Sequence, residues 1–221
     1  MRLHLLAAAV AACALGASGQ AAAQAVGQTC LMHEQATDTS AGEPVRRFLQ
    51  QRPGHAVTTC TSDSGVTHQV MSPVRIEAGV CRLSVRRYTD AGLAAAADGA
   101  DAAAGTGTFE FMSEPDAGEC PARGKGRWMA VTDVAPDAFV RISRFAADLA
   151  RGGRSANRDG GCRKREDKLR RLAAGHALIS VRREPGDLYA IQLLRSGMGY
   201  TVMIAITREG ACVRGYGQFI V

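Results

Sequence analysis

The chain has 221 residues, of which 46% are hydrophobic and 22% charged, with a formal net charge of +6. That much apolar side chain at so modest a charge excludes an intrinsically disordered protein. No run beyond the amino terminus reaches the ~20 apolar residues that a membrane-spanning helix needs.

Arg2, the apolar run from Leu3 to about Ala17 and the small residues ending in Ala23-Gln24-Ala25 read as a signal peptide over residues 1–25. The expected location is periplasmic or secreted. Val10-Ala11-Ala12-Cys13 resembles the lipobox of bacterial lipoproteins, which implies the alternative of an outer-membrane lipoprotein anchored at Cys13. Cleavage leaves about 196 residues, enough to bury roughly 70% of the unfolded surface.

Residues 26–90 read as a helix plus a three-strand unit. Val26 to Ser40 is polar and irregular; a short helix follows, with Pro44 in its first turn and Pro53-Gly54 as its stop. Strands are predicted over His55 to Cys60, Val66 to Val74 and Val80 to Tyr88, with Asp63-Ser64-Gly65 turning between the first two. Pro73 fits only at an edge or a strand end. Residues 91–107 are reduced to Ala, Gly, Asp and Thr around Leu93 and read as a flexible linker.

Residues 108–161 carry two strands, Thr108 to Met112 and Arg127 to Thr132, then a long helix from Pro136 to about Arg151 and a basic glycine-rich loop. Phe139, Ile142, Ala146 and Leu149 give that helix one apolar face. Residues 162–221 read as a helix from Arg163 to Ala174, with Leu169 and Leu172 inward, and a four-strand antiparallel meander with short turns. The fold class expected is α+β: antiparallel sheet units each covered by a helix and stapled by disulfides.

Two stretches echo one another. Gly54-His55-Ala56-Val57 matches Gly175-His176-Ala177-Leu178, and Asp63-Ser64-Gly65 matches Glu184-Pro185-Gly186 at the same offset. Glu77 to Arg82 resembles Glu209 to Arg214 after a one-residue adjustment at the cysteine. The alternatives are an internal duplication and coincidence in a chain rich in Ala, Gly and Arg.

Beyond Cys13 the cysteines are Cys30, Cys60, Cys81, Cys120, Cys162 and Cys212, an even set in an exported protein and hence a disulfide framework. None is spaced C-x-x-C, which speaks against a zinc site or a redox dithiol. Duplication pairs Cys30 with Cys81 and Cys162 with Cys212, leaving Cys60 with Cys120, and this is the expected framework. The sequential alternative pairs Cys30 with Cys60, Cys81 with Cys120 and Cys162 with Cys212.

Charge is the clearest functional signal. Arg151, Arg154, Arg158, Arg163, Lys164, Arg165, Lys168, Arg170 and Arg171 face only Asp159, Glu166 and Asp167 in the same stretch, an excess equal to the +6 of the whole chain. In an exported protein such an anion-binding surface suits lipid phosphates, peptidoglycan or an acidic protein. Nucleic acid is not expected in that compartment despite a pI of about 9.2. His33, His55, His68 and His176 form no ligand spacing, no P-loop or G-x-S-x-G is present, and no cofactor, metal or catalytic residue is assigned.

Ser196-Gly197-Met198-Gly199-Tyr200 resembles the SGxxY motif of the bacterial periplasmic and membrane-bound lysozyme inhibitors. The resemblance implies an inhibitory loop of Ser196, Gly197 and Tyr200 that enters a lysozyme cleft, with Arg208 or Arg214 as the basic partner. Three classes of function follow: a non-enzymatic envelope protein binding an anionic partner, an inhibitor of a lysozyme-like enzyme, and an enzyme whose site carries no motif.

Overall fold

The computed structural model describes residues 29–99, 105–123, 127–152, 157, 159–207 and 210–221. The expected signal peptide over residues 1–25, Cys13, Arg154, Arg158 and Arg208 lie outside the described residues.

The first half runs β1 (Thr29–His33), α1 (Glu43–Gln51), β2 (Ala56–Ser62), β3 (Gly65–Met71), β4 (Arg75–Glu77), β5 (Val80–Thr89), α2 (Asp90–Ala97) and β6 (Gly105–Ser113). The second runs β7 (Met129–Thr132), α3 (Pro136–Arg151), α4 (Gly160–Ala173), β8 (Ala177–Glu184), β9 (Leu188–Arg195), β10 (Met198–Thr207) and β11 (Gly210–Ile220). The eleven strands of the described residues join one sheet in the order β1-β2-β3-β5-β6-β7-β8-β9-β10-β11, with β4 paired to β5. Every pairing is antiparallel except β7 with β8. That exception has a physical cause, since the chain crosses between these two strands through α3 and α4, the kind of connection a parallel pair requires.

Alternation along paired strands sorts the side chains into two faces. Val57 opposes Val70, Met112 opposes Met129, and Val131, Val181, Ile191 and Val202 lie in one row. These residues share their clusters with the apolar residues of the helices: Val45, Phe48, Leu49 and Leu93 in the first half, and Phe139, Ile142, Leu149 and Leu169 in the second. The opposite face of the first half holds a smaller cluster around Met71, Leu83, Val85 and Trp128. Trp128 donates its indole N–H to the Ala122 carbonyl at 3.2 Å.

β8 to β11 form the expected antiparallel meander, and α3 spans the expected residues. Pro73 lies in the break between β3 and β4. Three expectations about these elements are corrected. The polar stretch from Val26 to Ser40 contains β1, an edge strand whose first four residues are exposed. The supposed linker over 91–107 holds α2, with Leu93, Ala96 and Ala97 buried and the Thr89 hydroxyl capping Gly92 N at 3.1 Å, and β6 begins at Gly105. Small side chains let α2 sit close to α1, so packing supplies what composition does not. Leu172 is 41% exposed; Glu166, Arg170 and Ala173 face inward with Leu169 instead.

The disulfides follow the sequential pairing, Cys30–Cys60, Cys81–Cys120 and Cys162–Cys212. The expected Cys162–Cys212 bond is present, whereas Cys30–Cys81 and Cys60–Cys120 are not. Register explains this, because β1 sets Cys30 directly opposite Cys60 with Cα atoms 4.1 Å apart. β5 lies three strand spacings from β1, roughly 14 Å, beyond the reach of a disulfide.

Candidate functional site

The basic stretch divides into structural and outward-facing residues. Asp159 caps α4 by accepting from Cys162 N at 2.8 Å, and that N–H holds its carboxyl below the usual carboxylate value. Arg170 is 7% exposed and Glu166 3%. Its guanidinium meets Glu166 Oε1 at 2.7 and 3.0 Å and donates to the carbonyls of Asp148 and Gly152 at the end of α3. Arg170 therefore joins two helices and does not belong to an anion-binding surface, a correction to the sequence reading. Arg165 reaches the Val213 carbonyl at 3.3 Å, and Arg151 pairs with Asp148.

What remains is a stripe. Lys164, Lys168 and Arg171 follow one another at helical spacing along exposed α4, beside exposed Arg163. Arg141 and Arg144 of α3 are exposed as well. None of these six has a carboxylate partner among the described residues.

The five-residue motif is split between surface and core. Ser196 and Gly197 have φ of 48° and 81°, the two left-handed residues of a tight hairpin turn between β9 and β10. Tyr200 is 7% exposed, with its ring 5.3 Å from His176 and 6.4 Å from Tyr216. Ser196, Gly197 and Tyr200 are thus not presented together on one loop. Gly199 is a packing requirement, since a Cβ there would lie 2.6 Å from the Leu193 carbonyl oxygen.

His55 and His176 are also apart, because β2 and β8 are separated by five strand spacings, about 24 Å. His55 packs edge-on against Phe48, and burial aided by the charges of Arg52 and Arg123 holds its ring below the ordinary histidine value.

The other two histidines meet at a cleft of about 280 Å³ between the β1–β3 end of the sheet and the entries to α1 and α2. Register builds it: Leu31, Thr59, His68 and Tyr88 stand opposite one another on successive strands, and His33 opposes Val57 one row away. His68 is 2% exposed; its Nδ1 lies 3.0 Å from Thr59 Oγ1 and its Nε2 lies 3.0 Å from Asp90 Oδ1. Asp90 opens α2, where the helix N-terminus favours a carboxylate. His33 is 4% exposed, and its Nδ1 lies 2.7 Å from Asp38 Oδ2. Its Nε2 has no hydrogen bond among the described residues. Sequence reading placed none of these five side chains together.

Protein-family models, characterised proteins and solved structures give no match to this chain. The site is therefore read from its own chemistry. Among the described residues no three His, Cys, Asp or Glu side chains converge as metal ligands, and no helix is long and apolar enough to cross a membrane.

Hydrogen bonds from Ser40, then from His33, pull the Asp38 carboxyl from the ordinary 3.8 to about 2. A depressed carboxylate adds stability above its unfolded value and loses it as pH falls through its folded value. Acid unfolding followed by circular dichroism should therefore show the wild type losing stability between pH about 4 and 2 more steeply than D38N.

Proposed function

We propose that the protein is an exported component of a bacterial cell envelope, periplasmic or lipid-anchored, that binds anionic lipid headgroups through the outer face of α3 and α4. The observation that carries this reading is the stripe of Lys164, Lys168 and Arg171 with Arg163 beside it, exposed and without carboxylate partners among the described residues. Buried Arg170 holds the helix that bears the stripe against α3, so the charges are presented by a fixed element. Three disulfides suit an oxidising compartment.

The same reading takes the sheet as two helix-backed units of common origin. Ala56–Ser62 and Ala177–Glu184 each follow a positive-φ glycine, Gly54 or Gly175, and each is followed by another at its hairpin, Gly65 or Gly186. The resemblance stops at the last echoed block, since Cys81 lies on the third strand of its meander and Cys212 on the fourth.

Co-sedimentation of the purified protein with phosphatidylglycerol vesicles tests the proposal. Each base near an anionic surface contributes about 1 kcal/mol, so the triple variant K164E/K168E/R171E should bind at least about 100-fold more weakly. Binding should also fall steeply with added salt. Equal retention on phosphatidylcholine vesicles, or undiminished binding by the triple variant, removes the reading. Capture by peptidoglycan or by an acidic protein instead of lipid transfers the stripe to that partner.

A further inference from the structure

We propose that the cleft at the β1–β3 end of the sheet is an ester-cleaving site in which the hydroxyl of Thr59 is the nucleophile, His68 its base and Asp90 the group that orients the base. The assignment of protons follows from the hydrogen-bond network. An ionised Asp90 can only accept, so His68 carries its proton on Nε2 and turns the Nδ1 lone pair to Thr59. The hydroxyl then donates to Nδ1. A hydroxyl, an imidazole and a carboxylate in hydrogen-bonded series is the arrangement that activates an alcohol, here with the two ring nitrogens exchanging the roles they have in the serine proteases.

Simple satisfaction of a buried histidine accounts for His68, both of whose nitrogens are engaged. His33 adds a second imidazole to the cleft. That ring is equally buried and lines the same cleft; Asp38 takes Nδ1, and Nε2 is without a partner among the described residues.

The cleft also limits the substrate. At about 280 Å³ it lies at the small end of ligand cavities, and Leu31, Val45 and Val66 give it apolar walls. The Asp90 side chain is 65% exposed and Leu31 57%, so the cleft opens to solvent on their side. A short acyl group fits inside while its alcohol portion stays outside, which describes an acetyl-sized ester of a larger alcohol.

In the first step Thr59 Oγ1 bonds to the acyl carbon and its proton passes to His68 Nδ1. The ester C–O bond breaks, and the departing alkoxide takes that proton from His68. In the second step water gives a proton to His68 Nδ1 as its oxygen bonds to the acyl carbon. The bond to Oγ1 breaks, and Thr59 recovers the proton, releasing the acid.

The test needs no lipid and is independent of the anion-binding stripe. The disulfide-intact protein is incubated with p-nitrophenyl acetate, and separately with diisopropyl fluorophosphate followed by peptide mass mapping. The expected results are an adduct on the Thr59 peptide and hydrolysis at least about 100-fold faster than by T59V. T59S should keep the adduct. D90N, altered at an exposed side chain, should retain the fold by near-ultraviolet circular dichroism and slow hydrolysis by at least about 100-fold. Absence of an adduct, an adduct on any other residue, or equal hydrolysis by wild type and T59V overturns the proposal.

Discussion

Replacing Arg170 with Ala is expected to cost about 3–5 kcal/mol, a large part of the stability of a domain this size. The surface pair of Arg151 and Asp148 sets the contrast, since exposed pairs contribute only about 0.2–1 kcal/mol. Arg170 differs in two ways. Its loss leaves Glu166, 3% exposed, as a charge with no counterpart, and it strips the carbonyls of Asp148 and Gly152 of the donor that satisfies the end of α3. The double variant E166M/R170M removes the isolated charge and replaces both side chains with apolar volume, so it should recover much of the loss. Urea unfolding of the single and double variants at unchanged slope measures the difference. A single variant no weaker than R151A would show that water, not Glu166, surrounds the guanidinium.

How much of this could be read in the sequence differs from element to element. α3 was legible because Phe139, Ile142, Ala146 and Leu149 repeat at helical spacing between Pro136 and Gly152. The meander of β8 to β11 was legible through its turns, Glu184 to Asp187 and Ser196-Gly197 among them. β1 was not, because an edge strand with four exposed residues shows no alternation of apolar and polar side chains. α2 was not, because alanines carry no amphipathic signal and become core only when α1 packs on them.

Arg170 was misread for a related reason. A count of bases along a helix does not say which of them turns inward, and here the deciding partner is the Glu166 one turn earlier together with two carbonyls from another helix.

The cleft was hidden by distance along the chain, yet half of it had a signal. The turn at Asp63-Ser64 pairs Ser62 with Gly65, and counting outward from it puts Thr59 opposite His68. Asp90 and the His33–Asp38 pair needed β5 and β1 in place, which no local pattern supplied. The cysteine pairing failed in the same way: a repeat in sequence was taken for equivalence in the sheet, whereas the register of β1 on β2 decided it.

Replacing Cys162 and Cys212 together with Ala is the second substitution expected to weaken the fold severely. The bond closes a 50-residue loop, and constraint of the unfolded chain over that length contributes about 4 kcal/mol. Alanine is the informative replacement because both positions are buried, at 6% and 1% exposure, and a serine hydroxyl there would add a desolvation cost of its own. Loop length alone separates the three bonds little: loops of 30, 39 and 50 residues differ by only about 0.5 kcal/mol on this account. A larger spread among the three double variants must therefore come from the folded state. Cys162 sits in the first turn of α4 and Cys212 on the edge strand β11, so this bond fastens the start of the basic helix to the sheet. Hydrogen exchange should show faster opening of the amides of residues 160–165 and 211–214 in C162A/C212A, with those of β2 and β3 protected in proportion to global stability. Uniform acceleration throughout the chain would mean that the bond acts on the unfolded state alone.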